Sequence, residues 1–97
     1  MNILEEAAAL IYGDRNRDYG TPLDNHSTTA ALWNAYIAAL VRRGKTELDA
    51  EDVCWMNVLQ KISREATTGA KKRDTAVDVA GYAGNVQMCR DEVEKRS

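Results

Sequence analysis

The chain has 97 residues, of which 44% are hydrophobic and 29% are charged, and its formal net charge is −2. This length suits one domain, and the composition is that of a folded globular protein rather than a disordered one. The slight acidity gives no general attraction to polyanions, so we expect no binding to duplex DNA or RNA. Apolar stretches fall far short of the roughly 20 residues that cross a bilayer, and Glu5 and Glu6 stand where a signal peptide carries positive charge. We expect one domain over residues 1–97, located in the cytoplasm, without a membrane partner.

Apolar residues recur at helical spacing in four segments, which predicts four helices. The first covers about Asn2–Tyr12 and ends before Gly13, a typical residue just beyond a helix end. A polar loop over residues 14–24 follows and contains the only proline, Pro22. The second helix is predicted over about Asn25–Arg43.

The third helix is predicted over about Asp49–Thr67, where Asp49 and Asp52 have the spacing of a capping box. The fourth is predicted over about Asp74–Glu94, with Asp74 as its N-cap. Patterns typical of strands or tight hairpins are absent from the sequence. The expected fold is therefore all-α, a small four-helix bundle.

Two features of the last two helices predict a homo-oligomer. The apolar surface of the third helix is broader than one partner helix can cover. The fourth helix carries Ala80, Gly81 and Gly84 on one side, and each glycine inside a helix costs about 1 kcal/mol relative to alanine. Close approach of a neighbouring backbone would offset that cost.

Cysteine and histidine usage argues against metal and nucleophile chemistry. Cys54 and Cys89 lie far apart within apolar helical patterns, which predicts two buried, reduced thiols. With one histidine, His26, and no CxxC motif, a zinc site is not expected. No Ser-His-acid set and no phosphate-binding glycine motif is present, so we predict no catalytic residue and no metal ligand.

The loop before the second helix is the first candidate ligand segment. Arg15, Arg17, Asp18 and Tyr19 lie within five positions. Arginine side chains suit phosphate or carboxylate groups, and a tyrosine ring can stack on a base. The alternative is a solvated turn with internal ion pairs.

Charged residues on the third and fourth helices form the second candidate. Lys61 and Arg64 share one helix face, as do Asp74 and Asp78. The two carboxylates can hold a divalent cation or pair with the basic residues across the helix interface, and the sequence leaves a functional site and a structural bridge equally open. Tyr82, one turn after Asp78, can stack on a ring or fill the core.

The linker between these helices, residues 69–73, ends in three consecutive basic residues, the last of which is Arg73. Basic side chains beside the positive end of a helix make an anion site. As the predicted N-cap, Asp74 would compete for the same amide groups.

Three stretches, GDRNRDYG at 13–20, DVCWMNVLQKISR at 52–64 and KKRDTAVDVAGYAG at 71–84, together with Asn25 and Trp33, resemble a family of small phage and prophage proteins. The similarity runs from about residue 3 to residue 84. It implies a phage-encoded protein in the host cytoplasm and adds Asn25 to the candidate ligand residues.

More distantly, the helix pair resembles the all-α nucleotide pyrophosphohydrolases of the MazG-like group. These are oligomeric proteins that hold magnesium with an ExxE motif on one helix and acidic residues on the next. The present chain has Lys61 and Arg64 where that motif would lie, whereas Asp74 and Asp78 match the acidic half. Basic residues there would bind phosphate oxygens directly rather than a metal ion.

Two functions from different classes follow, and the first is preferred. The chain would bind and sequester a nucleotide or nucleotide-derived signal without a cofactor, by analogy with phage proteins that remove bacterial defence signals. Alternatively, it would be a magnesium-dependent nucleoside triphosphate pyrophosphohydrolase, with Asp74, Asp78 and Glu5 or Glu6 as ligands. A purely structural ion-pair network is the third interpretation. The predicted ligand residues are Arg15, Arg17, Asp18, Tyr19, Asn25, Lys61, Arg64, Arg73, Asp74, Asp78 and Tyr82.

Overall fold

The computed structural model describes residues 1–13 and 20–97, which form four α-helices and no strand. These are α1 (Ile3–Ile11), α2 (Pro22–Arg42), α3 (Ala50–Thr68) and α4 (Arg73–Arg96). The predicted all-α bundle of four helices is confirmed. Within the described ranges, no helix combines the length and the apolar character needed to cross a membrane.

The first two helices begin with side-chain caps. Asn2 Oδ1 accepts a hydrogen bond of 2.8 Å from the Glu5 amide at the start of α1. At the start of α2, Thr21 Oγ1 accepts one of 3.3 Å from the Asp24 amide, and Pro22 takes the first helical position. Proline is favourable there because that position needs no amide donor. The prediction that Pro22 lies in a loop was therefore wrong, and α2 begins three residues earlier than expected.

The predicted capping box of α3 is confirmed, since the Asp49 and Asp52 side chains each accept a hydrogen bond from the other's amide at 3.0 Å. Gly69 ends this helix with φ 63°, a left-handed conformation that favours glycine. The predicted N-cap of α4 was wrong. Lys72 is the N-cap, and Asp74 lies within the first turn, where a carboxylate interacts favourably with the helix dipole.

Helix α3 packs against both α2 and α4 and forms the centre of the bundle. On the α2 side, Trp33 Nε1 donates to the Met56 carbonyl at 2.8 Å. On the α4 side, Lys61 Nζ lies 2.9 Å from Asp78 Oδ2. Met56 and Lys61 point about 140° apart around α3, at 100° per residue. The two neighbours therefore flank nearly opposite sides, and α2, α3 and α4 form a layer.

The core of this layer is small. Its buried hydrophobic side chains in the described part are Leu40, Met56, Val58 and Val86, and its buried polar ones are Asn25, Thr29, Asp52 and Ser63. Ser63 is fully buried, and its hydroxyl donates to the Asn25 carbonyl at 3.0 Å. Helix α1 contributes no buried residue.

Two predictions about α3 and α4 are modified by the structure. A Cβ atom added at Gly81 or Gly84 would have no neighbour within 4 Å among residues 1–13 and 20–97, so these residues of a single chain do not supply the predicted close backbone contact. Cys54 and Cys89 are free thiols, as predicted, but both are half-buried rather than buried.

Asp52 is the buried polar centre of the α2–α3 junction, with only 3% of its surface exposed. Its carboxylate accepts hydrogen bonds from Tyr36 Oη at 2.6 Å, from Lys45 Nζ and from the Asp49 amide. Burial acts to raise the pKa of Asp52, but the hydrogen bonds from Lys45, Tyr36 and Asp49 outweigh it and hold this pKa well below its usual range. Burial raises the pKa of the Tyr36 hydroxyl, and the hydrogen bond to Asp52 and the negative charge of Asp52 raise it further.

We predict that Asp52→Asn lowers the free energy of unfolding by about 2–4 kcal/mol, because it removes the charge of a buried carboxylate that accepts hydrogen bonds from Tyr36, Lys45 and Asp49. Denaturant unfolding followed by circular dichroism measures this change. Asp91→Asn is the matched control, since Asp91 is an exposed α4 residue that accepts a hydrogen bond from Gln87 one turn away. Equal stability of the two variants would contradict a central role for Asp52.

Candidate functional site

Seven of the predicted ligand residues lie in the described part of the chain. Four others, Arg15, Arg17, Asp18 and Tyr19, lie outside the described residues. The seven are Asn25 on α2, Lys61 and Arg64 on α3, and Arg73, Asp74, Asp78 and Tyr82 on α4.

The Lys61–Asp78 pair joins α3 to α4 and connects the two halves of the predicted site. Lys61 Nζ lies 2.9 Å from Asp78 Oδ2, and the side chains are 18% and 45% exposed. The bridge that the sequence left open is therefore present. Because Arg64 follows Lys61 by one turn on α3, it lies next to this pair at the same edge.

On α4, Asp74, Asp78 and Tyr82 follow one another at intervals of four residues, so they form a stripe along one face. Asp78 and half-buried Tyr82 also line a shallow depression of about 380 Å³ with Val77 and Asn85. Through the Lys61–Asp78 pair, this stripe meets α3 at Lys61, one turn before Arg64. We call these five residues, Lys61, Arg64, Asp74, Asp78 and Tyr82, the Lys61 face.

Asn25 reaches this region through its backbone. It is only 6% exposed, and its carbonyl accepts hydrogen bonds from Ser63 and from Thr29, both at 3.0 Å. Ser63 lies between Lys61 and Arg64 in sequence. Asn25 therefore fixes the start of α2 against the segment of α3 that carries both basic residues.

The described chain resumes after residue 19 beside the C-terminal end of α3. A Cβ atom added at Gly20 would lie 3.3 Å from Thr67 Cγ2, and Gly20 has φ +76°. Thr67 is one helical turn beyond Arg64. Gly20, the first described residue after that segment, therefore lies near the C-terminal end of α3.

The N-terminus of α4 differs from the prediction in a way that favours anions. Lys72 is the N-cap, and a lysine side chain has no hydrogen-bond acceptor with which to cap amide groups. Asp74, in the first turn, does not occupy the capping position that would make it a competitor for them. Lys71 and Arg73 add two exposed basic side chains at this positive helix end.

Acidic and sulfur ligands are dispersed over the described residues. No group of three or more His, Cys, Asp or Glu side chains that could hold a metal ion occurs among residues 1–13 and 20–97. Of the carboxylates proposed for magnesium, Asp78 is engaged by Lys61.

A larger cavity that the sequence did not predict lies between α2 and α4, over the N-terminal half of α3. Its volume is about 550 Å³. We call it the α2–α4 groove. Its apolar lining comprises Ala39, Leu40, Trp55, Val58 and Leu59, and its polar lining comprises Tyr36, Arg43, Lys45, Asp49, Glu51, Asp52 and Arg90. The breadth of the apolar surface on α3 was the only sequence signal for this groove.

At the edge of the groove, Arg90 forms a bidentate ion pair with Glu51. Arg90 Nε and Nη2 lie 2.7 and 2.9 Å from the two Glu51 carboxylate oxygens. Trp55 Nε1 also donates to Glu51, at 3.1 Å. The hydrogen bonds from Arg90 and Trp55 lower the pKa of Glu51 from 4.5 to about 2. Because Glu51 and Arg90 are 39 positions apart, their pairing could not be predicted from local sequence spacing.

We predict that this pair makes stability depend on acidic pH. The folded-state pKa of Glu51 is depressed, so its contribution is complete above about 4.5 and is lost as the pH falls toward 2. Glu51→Gln should therefore flatten the decline in unfolding free energy over this range, measured by denaturant unfolding at several pH values. Glu92→Gln, which alters an exposed pair with Arg96 on α4, should leave the decline unchanged. An identical slope in wild type and Glu51→Gln would exclude the effect.

Comparison with known proteins places the chain among phage proteins, as its motifs predicted. It is 43% identical over 95 residues to the Gene 55 protein of Mycobacterium phage L5 and 40% identical over 91 residues to the Gene 55 protein of Mycobacterium phage D29. These matches cover 95% and 94% of the chain but 56% and 55% of the relatives, so the chain spans just over half their length. No solved structure matches it. Residues 2–90 match the family described as "Domain of unknown function (DUF6378)", and the chain belongs to that family.

Proposed function

We propose that this chain binds a phosphate-bearing small molecule, a nucleotide or nucleotide-derived signal, at the Lys61 face and sequesters it intact. The observation that carries the proposal is the position of mostly buried Lys61 beside Arg64 and Asp78, close to the basic N-terminus of α4. The class of ligand follows from this concentration of cationic donors.

Lys61 is held in place before any ligand arrives. Only 18% of its side chain is exposed, and Asp78 fixes its ammonium group at 2.9 Å. A side chain that is already ordered loses less conformational entropy when a ligand binds. Asp78 is then a positioning residue for Lys61, and a phosphate oxygen shares or replaces its contact with the ammonium group.

The helix end and its linker extend the cationic surface. Residues 61–78 contain five basic and three acidic residues, a local charge of +2 in a chain of net charge −2. The positive end of the α4 dipole and amides that the Lys72 side chain cannot cap add to this potential. A phosphate group is the ligand that this combination suits.

The remaining predicted ligand residues complete the proposed site. Tyr82 shares its depression with Asp78 and supplies a ring on which a base can stack. We assign Arg15, Arg17, Asp18 and Tyr19 to the same ligand, because the chain that follows them meets α3 at Thr67, one turn from Arg64. Asn25 joins the start of α2 to the segment of α3 that carries Lys61 and Arg64.

Membership of a phage protein family supports the biological part of the proposal. The two relatives are phage gene products, so the chain would act in the cytoplasm of the host. A small protein that binds a signal nucleotide without breaking it lowers the free concentration of that signal. In this role it would oppose bacterial defence, as a homo-oligomer that needs no metal.

We predict that binding of nucleotide phosphate persists in EDTA and weakens as salt is raised, because direct charge-assisted contacts are screened. Arg64→Ala should cost about 1.5–3 kcal/mol of affinity, the typical value of a hydrogen bond to a charged group. Isothermal titration with nucleoside triphosphates and with cyclic and ADP-ribose-type nucleotides measures both effects. Lys95→Ala, in the last turn of α4, is the matched control and should bind like wild type. Failure of the whole panel to bind would contradict the proposal.

Asp78→Asn separates sequestration from magnesium-dependent pyrophosphate release. In a sequestering protein, the substitution removes a negative charge beside Lys61, so phosphate affinity is retained or increased. In a pyrophosphohydrolase, the same change would abolish turnover. Incubation with and without magnesium, followed by chromatography, reports any product. Recovery of intact ligand after heat denaturation supports sequestration, and repeated magnesium-dependent turnover would overturn it.

A further inference from the structure

We propose that the α2–α4 groove is the docking site for helix α1 of a second copy of this chain, in a reciprocal exchange that forms a homodimer. This inference does not rest on nucleotide binding, because the groove and the Lys61 face involve different residues. It specifies the surface and the segment through which the chain associates.

The exposed area of the chain is too large for a monomer of this size. Its accessible surface is 7224 Å². A compact monomer of 10.8 kDa has about 5,500 Å², so roughly 1,700 Å² is in excess. A standard interface buries about 800 Å² on each partner. The excess is therefore sufficient for a stable interface between two copies.

Helix α1 is an apolar segment that buries no residue against the layer of α2, α3 and α4. All of its residues are exposed, including Ile3 at 82%, Leu4 at 79% and Leu10 at 56%. Its sequence is nonetheless that of a strongly apolar helix with a well-formed N-cap. An exposed apolar surface of this kind marks an interaction site.

The groove has the shape and chemistry to receive such a helix. Its volume of about 550 Å³ opens between α2 and α4, and Leu40, Trp55 and Leu59 form its apolar floor. The apolar surface of α3 continues past the groove to Ile62, which is 44% exposed. An inserted helix would therefore bury apolar surface along most of α3.

Charge complementarity identifies α1 as the occupant. Its only charged residues are Glu5 and Glu6, in its first turn. The groove is lined by three basic residues, Arg43, Lys45 and Arg90, and by three acidic ones, Asp49, Glu51 and Asp52. Lys45 and Arg90 already contact carboxylates, whereas Arg43 is exposed and forms no ion pair within residues 1–13 and 20–97. Arg43 is therefore available to the acidic residues of an incoming α1.

The length of the chain favours exchange over docking of α1 onto its own groove. The groove lies near Leu40, about 27 Å along α2 from Pro22 at 1.5 Å per residue. Ten residues separate α1 from α2, and they span at most about 33–36 Å when fully extended. Docking within one chain would require the linker to reach about three quarters or more of that span, whereas a two-fold partner can approach from the other end.

Sedimentation equilibrium of purified full-length chain tests the interface. Wild type should be a dimer at micromolar concentration, and Leu10→Glu should raise the dissociation constant at least about 100-fold, because a buried anchor is replaced by a charge. Leu10 is 56% exposed in the single chain, so this variant keeps its helical content. Val93→Glu, at a residue 68% exposed near the end of α4, is the control and should remain dimeric. A monomeric wild type, or a dimer that survives Leu10→Glu, would overturn the proposal.

Charge reversal and isotope mixing test the pairing itself. Arg43→Glu should weaken the dimer, and addition of Glu5→Arg and Glu6→Arg should restore it; absence of restoration would refute the charge pairing. In the Arg43→Lys variant, carbodiimide treatment should couple the new amine to Glu5 or Glu6. After unfolding and refolding an equal mixture of heavy and light chains, about half of the coupled peptides should join a heavy to a light chain, as random pairing in a two-fold dimer requires. Coupling confined to equal-isotope peptides would show docking within one chain and overturn the exchange.

Discussion

Polar contacts on two sides of α3 determine how this small chain is arranged. Trp33 donates to the Met56 carbonyl and fixes α2 on one side, while Lys61 and Asp78 fix α4 on the other. Each contact joins residues far apart in sequence, so both contribute specificity to a fold whose apolar core is limited. Ser63 has a related role, since its small, fully buried side chain lets α2 approach closely and its hydroxyl satisfies the Asn25 carbonyl.

A central helix with neighbours on nearly opposite sides leaves two open faces. One is polar and carries the Lys61 face, where the charges of α3 and α4 meet. The other is the α2–α4 groove, where Trp55 and Leu59 remain accessible. The ligand and the partner copy proposed above would therefore contact different residues.

The helices were predictable because their periodicity and their capping residues act locally. Asp49 and Asp52 form the predicted capping box, and Gly13 follows α1 as expected. The two errors at helix starts, at Pro22 and Asp74, also have a local cause: proline is favourable at the first helical position, and a lysine can precede a helix without capping it. The sequence indicated a possible Lys61–Asp78 bridge but did not distinguish it from a metal site. That distinction depends on the register between α3 and α4, which local spacing does not give. Glu51 with Arg90 was beyond prediction for the same reason.

The polar residues at the two ends of α3 differ in their contacts and in their charge balance. At the N-terminal end, Asp52 accepts from Tyr36, Lys45 and Asp49, and Glu51 is held by Arg90 and Trp55; the depressed pKa values of both carboxyl groups reflect these bonds. Such groups are committed to structure, because a ligand could engage them only by breaking bonds that hold the helices together. At the other end, basic residues outnumber acidic ones between positions 61 and 78, and the N-cap of α4 is a residue that cannot accept hydrogen bonds. This local excess of positive charge favours the Lys61 face, rather than the committed carboxylates, as the proposed site for an anion.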